Sequence, residues 1–471
     1  MLKFMREKAH IFGWGIVIFF VGTMFSGAFS LKNMFHRGPQ KTMASSQLAM
    51  VGDTPVSTEK YSELLNQTMM QFQKQHVQRL EPEMAEMVAY SALNQAAQFT
   101  LLKEGAKKSN IKIKGSDVDI ALEAVYRQYD LKGKSQLKDL LKKNKYPYKD
   151  FIASLKQDIQ IQKFTENLRK QVHVSEKDVQ NKYTQVSVEH LLLLSDNKKD
   201  EDVLKRIQPI EKMIRGGMPF EKAVSQYSED TKTRDKNGSL GWVRTGQTLQ
   251  EFEEVAFGLD KGGISGPVKT AVGYHLIKVL DKKINVPTTL NMAAEKAAVL
   301  QDKQNRAIQN FVQGILAHSK LTVIDPSLKA YHAKIFGDIP GAIAAYQSQI
   351  SANPSNPIPH YLLAKLYALT KEPEHIKEEL DKANLKADLN PGLDFPGLHI
   401  LTGKYAGEAH LPQEKAKQFT KAIALATDRF SLKGLESTFK NMKEPEFERE
   451  VQQALAKIPQ EPSPLAPPRV Q

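Results

Sequence analysis

Between Ile11 and Leu31 the chain reads IFGWGIVIFFVGTMFSGAFSL, a run of 21 residues without a charge. As a helix rising about 1.5 Å per residue it would span roughly 31 Å, the thickness of a bilayer core. The run predicts a transmembrane helix followed by a large polar bulk. A cleaved secretory leader is the rival reading, with Lys3, Arg6 and Lys8 as its basic region and Ser26-Gly27-Ala28 as a small-x-small cleavage site. The length of the run and the bulky Phe25 and Phe29 favour retention. Orientation does not follow from charge, because Lys32, Arg37 and Lys41 match the three basic residues on the other side.

The 471 residues suggest about three domains. With 66 Lys and Arg against 53 Asp and Glu, the net charge of +13 permits anionic partners but selects none. Cysteine is absent, which excludes disulfides, thiolate nucleophiles, Cys-ligated zinc and a cysteine-linked lipid anchor, and suits an oxidising compartment.

Residues 1–31 are read as a cytoplasmic tip and anchor, and the polar, basic residues 32–46 as a linker. Residues 47–185 open with a short strand, a Gly52-Asp53 turn and a second extended piece. Helical periodicity then recurs, punctuated by Gly105, Gly115, Gly133 and Pro147. Lysines crowd Lys132 to Lys149, a solvated helical face or a basic surface for anionic clients. The pattern changes at residues 186–283, where strand, helices, a Gly-rich loop, a short helix and a closing strand predict an α+β unit. A long helix without internal proline dominates residues 284–325. In residues 326–458, Gly337-Asp338, Ala342, Tyr346 and Pro354, then Leu363, Ala364, Tyr367 and Ala383, follow a tetratricopeptide-like period; two helix pairs are expected and a third is suggested. Residues 459–471 are proline-rich, and disorder is expected there.

Within the α+β unit the ordered blocks VEHLLL, YSED, GSLGW, EFEEVAFGL and ISGPVKTAVGYHLIKV resemble the parvulin family of peptidyl-prolyl isomerases over about Ser187 to Asp281. The resemblance implies catalytic roles for His190, Asp230 and His275, and a proline-ring pocket formed by Leu240, Thr248 and Phe252. Two positions depart from the family pattern. Ser239 replaces the Asp common in its Gly-Asp-Leu-Gly loop, and Thr248 replaces Met or another apolar pocket wall. No basic cluster follows His190, so phospho-Ser/Thr selectivity is not expected.

The flanking segments resemble membrane-anchored bacterial foldases related to SurA, PpiD and PrsA, in which helices before and after an inserted isomerase module form one chaperone domain. The expected fold class is therefore multidomain: an N-terminal transmembrane helix, a mostly α chaperone domain with its returning helix at 284–325, an α+β parvulin domain and an all-α tetratricopeptide-like C-terminal domain. The expected function is isomerisation and chaperoning of unfolded or nascent exported polypeptides with X-Pro bonds, from a single-pass anchor in the bacterial inner membrane with the bulk in the periplasm. A protein partner at the tetratricopeptide-like repeats is the further partner expected. The alternative is a catalytically weak or inactive scaffold that holds Pro-containing segments. No cofactor or metal is expected, since His360 and His375, or His399 and His410, lack zinc-site spacing. Nucleic-acid binding is not expected either, because no aromatic-basic stripe accompanies the charge.

Overall fold

Nearly every residue from Thr184 to Leu194 is at least partly buried, and the run Val188–Leu193 is buried throughout, as a central strand covered on both faces requires. The computed structural model describes residues 47–458 except 76, 78, 196–199 and 319–320. In it this run is β3 (Thr184–Leu194), flanked by β4 (Ser239–Val243) and β6 (Gly273–Ile284), with β5 (Val268–Thr270) at the far edge. The sheet is antiparallel, in the order β4-β3-β6-β5.

Alternation of side chains along a strand sorts this sheet into two faces. Leu191, Leu193, Tyr274 and Leu276 point to one side, where α7 (Asp200–Arg215) and α8 (Phe220–Tyr227) cover them with Val203, Ile207, Ile210 and Phe220. Val186, Val188, Ile277 and Val279 point to the other, against Phe252, Ala256 and Phe257 of α9 (Gln250–Gly258). His190 and His275 share the parity of this second set. Register places His275 opposite Leu192, so the two imidazoles are diagonal neighbours under α9.

The described residues fall into two compact units, one of residues 100–321 and one of residues up to 99 with those from 322 onward. In the first, α3 (Gly115–Gln128), α4 (Lys134–Lys143) and α5 (Tyr148–Lys170) bury Leu122, Val125, Leu137, Leu141, Phe151 and Leu155. A capping box between Ser175 and Asp178 starts α6 (Glu176–Lys182). The chain leaves β6 into α10 (Met292–His318), which returns along α5 and α6. Phe311 meets Phe164 edge-on at 5.0 Å, and Lys303 pairs with Asp178 at 2.7 Å.

In the second unit, β1 (Ala49–Val51) lies between β2 (Thr54–Pro55) and β7 (Leu321–Val323). Ser57 caps α1 (Thr58–Lys74). The following helix, α2 (Pro82–Lys108), begins in this unit and ends in the other. From 326 the unit is helical in four consecutive pairs: α11 (Pro326–Phe336) with α12 (Ile339–Ala352), α13 (Pro357–Thr370) with α14 (Pro373–Leu389), α15 (Pro396–Glu408) with α16 (Pro412–Leu425), and α17 (Arg429–Met442) with α18 (Pro445–Lys457). Proline in the first helical turn recurs in seven of the eight, where its missing N–H costs nothing. The last pair, absent from the sequence reading, closes a core of Phe419, Leu432, Phe439, Phe447 and Val451.

The expected fold class needs correction at its N-terminal element. Among the described residues no helix is long and apolar enough to cross a membrane. The segment Ile11 to Leu31 lies outside the described residues. What the structure presents is a mostly helical chain with a small α+β domain. The physical reason is plain in the two longest helices: α10 carries charges along its length, and α2, though uncharged from Met87 to Leu102, intersperses Ser91, Asn94, Gln95 and Gln98 among its apolar residues.

Candidate functional site

The loop after α8 is fastened to β3, since Glu229 N–H donates to Leu192 O at 2.7 Å and the Ser228 hydroxyl accepts from Leu192 N–H at 3.3 Å. This brings Asp230 over the end of the strand. One carboxylate oxygen of Asp230 caps the turn by accepting Lys232 N–H at 3.0 Å. The other faces His190 Nε2 at 3.1 Å and accepts the Thr233 hydroxyl at 2.5 Å. His190 Nδ1 lies 3.2 Å from His275 Nδ1, and His275 Nε2 lies 2.9 Å from the Thr270 hydroxyl. The imidazoles stack at 5.5 Å with an interplanar angle of 18°. Phe252 presents its ring edge-on to both, at 5.8 Å from His190 and 5.4 Å from His275.

Hydrogen positions follow from the chain of contacts. With both imidazoles neutral, the order that satisfies both rings has the single Thr270 hydroxyl proton on His275 Nε2 at 2.9 Å rather than on Gly273 O at 3.2 Å, His275 Nδ1–H donating to His190 Nδ1, and His190 Nε2–H donating to the Asp230 carboxylate. Every ring nitrogen is then satisfied. The reverse order leaves a bare His190 Nε2 lone pair against an anion. Burial disfavours a charged ring here and, with His190 nearby, pushes His275 down to about 3. Burial likewise lowers His190, against the pull of Asp230. Burial alone would raise Asp230, but the Thr233 hydroxyl, Lys232 N–H and His190 hold it below the ordinary carboxylate range.

A pH dependence follows. A histidine whose folded pKa lies below its ordinary 6.5 binds fewer protons folded than unfolded, so stability is lost as pH falls below 6.5. Over the first two pH units below that value His275 contributes a loss of roughly 2 kcal/mol. In a ¹⁵N titration of the imidazoles, the His275 ring is expected to stay neutral to about pH 4. A His275 resonance titrating at its ordinary value would contradict the assignment.

Leu240 packs against the same cluster as Phe252, while Thr248 does not reach the histidines in any hydrogen bond. The Thr248 N–H is taken up by Glu253 at 3.1 Å, and its buried hydroxyl oxygen has no partner among the described residues. At the departure from the family loop, the Ser239 hydroxyl accepts Gly241 N–H at 3.3 Å and so keeps a turn-capping acceptor. Gly238 has φ +75°, and a Cβ there would stand 2.1 Å from His190 O, so only glycine lets this loop close on β3.

Sequence reasoning missed Thr233 and Thr270, which complete the polar chain. It also missed Glu253, which is buried in α9 one residue after Phe252. Glu253 accepts Gly246 N–H at 2.6 Å and pairs with Arg306 of α10 at 2.8 Å. Asn310 of α10 also donates to Gln250 at 2.8 Å. The first turn of α9 is thus held from α10, beside a cavity of about 450 Å³ that Glu253, Arg306, Lys303 and Asp178 help to line. Among the described residues no group of three or more His, Asp or Glu is disposed to hold a metal ion.

Residues 190–281 match the family described as the PPIC-type PPIASE domain, and residues 1–165 match the SurA-like N-terminal domain. The chain therefore carries a parvulin-type isomerase domain together with a SurA-like N-terminal domain. Foldase protein PrsA 3 of Bacillus cereus is 43% identical over 111 residues, covering 23% of this chain and 36% of the relative. Chaperone SurA of Legionella pneumophila is 32% identical over 167 residues, covering 34% of this chain and 38% of the relative. A solved structure of peptidylprolyl isomerase (PrsA) from Bacillus anthracis is 25% identical, covers 48% of this chain and 94% of that one, and has a TM-score of 0.24. The match spans 36%, 54% and 61% of the length of three PrsA foldases.

Proposed function

We propose that this protein isomerises X-Pro peptide bonds in unfolded or nascent exported polypeptides and assists their folding outside the cytoplasm. The observation that carries this reading is the gathering of His190, Asp230, His275 and Phe252 on one face of a sheet within the segment that matches the isomerase domain. The absence of cysteine and the PrsA and SurA relatives support the extracytoplasmic setting.

The reaction makes and breaks no bond, and its barrier of about 18–20 kcal/mol is lost amide resonance. The planar amide places negative charge on oxygen and positive charge on nitrogen, whereas the twisted amide separates less charge. A dry apolar pocket therefore disfavours the planar form relative to the twisted one. Phe252 and Leu240 grip the proline ring. The imidazoles, with all four nitrogens occupied, form a neutral, rigid plate behind that grip and transfer no proton. Asp230 orients His190 and places a fixed negative charge at the rim, opposing charge build-up on a carbonyl turned toward it.

The helices of residues 100–182 and α10 are read as holding extended client segments, a reading supported by the SurA-like match. The C-terminal pairs are read as tetratricopeptide-like, supported by full burial of Ala342, Tyr346, Ala364 and Ala383 at the positions the period picks out.

Full-length protein at catalytic concentration is expected to accelerate the slow phase of a proline-limited refolding reaction, whose uncatalysed time is tens to hundreds of seconds. An unchanged slow phase together with suppressed aggregation would contradict catalysis and favour a holding scaffold.

A further inference from the structure

The acidic run at the start of α2, Glu81-Pro82-Glu83-Met84-Ala85-Glu86, reads in sequence as a solvated helix start. In the second unit it is partly buried, and its carboxylates are taken up by side chains and backbone of the C-terminal helices. Glu86 is gripped by the first C-terminal pair, with Lys334 Nζ at 2.7 Å and the Tyr346 hydroxyl at 2.7 Å. Glu83 is gripped by the second pair, through the Tyr361 hydroxyl at 2.7 Å and the Lys365 ammonium. Glu81 accepts the Gly397 N–H at the start of the third pair, at 3.1 Å. Just upstream, Arg79 donates to the carbonyls of Gly392 at 3.1 Å and Asp394 at 2.7 Å.

Three carboxylates are thus taken by three successive helix pairs, the first two each through a lysine and a tyrosine and the third through a backbone N–H. Gly397 is shaped for the contact, because a Cβ there would stand 2.4 Å from Glu81 Oε2 and 2.9 Å from the Tyr361 hydroxyl. Both tyrosines that donate are buried. Charge-assisted bonds of this kind are among the stronger polar contacts a surface can make, and the Glu86 pair is the more shielded from water of the two. Tyr346 and Tyr361 come from two different helix pairs, and both hydroxyls are aimed at this one segment.

We propose that the C-terminal helix pairs form a recognition site for an acidic helix start of the pattern Glu-x-Glu-x-x-Glu, and that in this chain the site is filled in cis by Glu81–Glu86. The site is self-occupied. A second segment of the same chemistry, from a client or partner protein, enters only when the chain's own segment leaves. This inference does not depend on the isomerase reading, whose residues lie in the other unit.

The test is fluorescence anisotropy of a labelled, end-blocked peptide of residues Arg79 to Ala92 added to full-length protein. Wild type is expected to bind it weakly, because its own segment competes. The variant Glu83→Lys/Glu86→Lys, whose segment is expelled, should bind at least about tenfold tighter. Adding Lys334→Glu/Lys365→Glu should abolish that gain and, by swapping the charges, restore the thermal midpoint lost in the first variant. Equal binding by wild type and the Glu83→Lys/Glu86→Lys variant would overturn the proposal. If that variant shows no cooperative thermal transition, hydrogen exchange on Lys334→Met/Lys365→Met decides. Amide protection at Ala85 to Val88 should fall at least about tenfold while that of α9 holds. Unchanged protection at Ala85 to Val88 overturns the proposal.

Discussion

Replacing Phe252 with alanine is expected to destabilise the α+β domain by about 3–5 kcal/mol and to remove its effect on proline-limited refolding. The ring is 3% exposed, packs with Val243, Ala256 and Ile277, and meets both imidazoles edge-on. Removing it leaves a cavity in the layer between α9 and the sheet and empties the site read as the proline-ring grip. Because the loss approaches the whole stability of a small domain, Phe252→Leu serves beside it. That variant keeps apolar volume while losing the flat ring, so it should remain folded in a urea titration yet lose most of its acceleration of the slow phase. Full acceleration by folded Phe252→Leu and by whatever fraction of Phe252→Ala folds would remove the pocket assignment.

The second large effect is expected at Arg306, which lies 54 residues from Phe252 in sequence but holds its helix. Arg306→Met leaves Glu253 buried without its cation. Breaking such a pair from one side costs about 3 kcal/mol, at the low end of the range because Arg306 is 20% exposed. The variant also has a pH signature. Burial, opposed by the Thr248 N–H and Arg306, already raises the Glu253 pKa above its ordinary 4.5. A carboxyl raised in the folded state binds more protons folded than unfolded, so stability falls as pH rises above 4.5. Loss of Arg306 widens that window, and the deficit of the variant should be larger at pH 8 than at pH 5. Glu253→Leu/Arg306→Met should recover most of the stability. The kinetic expectation is a rise in KM larger than the fall in kcat, since the first turn of α9 loosens while the histidine chain is untouched. An unchanged urea midpoint in Arg306→Met at both pH values would show that α10 does not hold α9.

How much of this was legible in the sequence depends on the reach of each interaction. His190 and His275 could be singled out because the ordered blocks around them resemble the parvulin pattern; strand alternation in the two apolar runs puts both on one face but does not distinguish a site histidine from a core one. Phe252 shares a helical face with Ala256, and that face reads locally as well. Thr233 and Thr270 could not be singled out. Threonine is common in turns, and their role appears only when the β3–β6 register brings loops from 230 and 270 to the two ends of one imidazole stack. The fourth C-terminal pair has no tetratricopeptide landmark, but Asp428 as an N-cap, Pro445 in a first turn and the Phe439 and Phe447 pair were signals available for it. The acidic start of α2 was opaque for a different reason. Its partners lie 248 to 316 residues away by separation, and a glutamate bound to a distant tyrosine has the same local pattern as one facing water.

The central claim is that the assembled site lowers the barrier to rotation about an X-Pro amide, and nuclear magnetic resonance exchange spectroscopy on a short proline peptide measures that rotation with no folding reaction in between. With full-length protein present at a small fraction of the peptide concentration, cis and trans resonances should show exchange cross-peaks within about a second, far faster than the uncatalysed tens of seconds. The cross-peaks should vanish with Phe252→Leu. Cross-peaks absent with wild type, or equally strong with Phe252→Leu, would contradict the account.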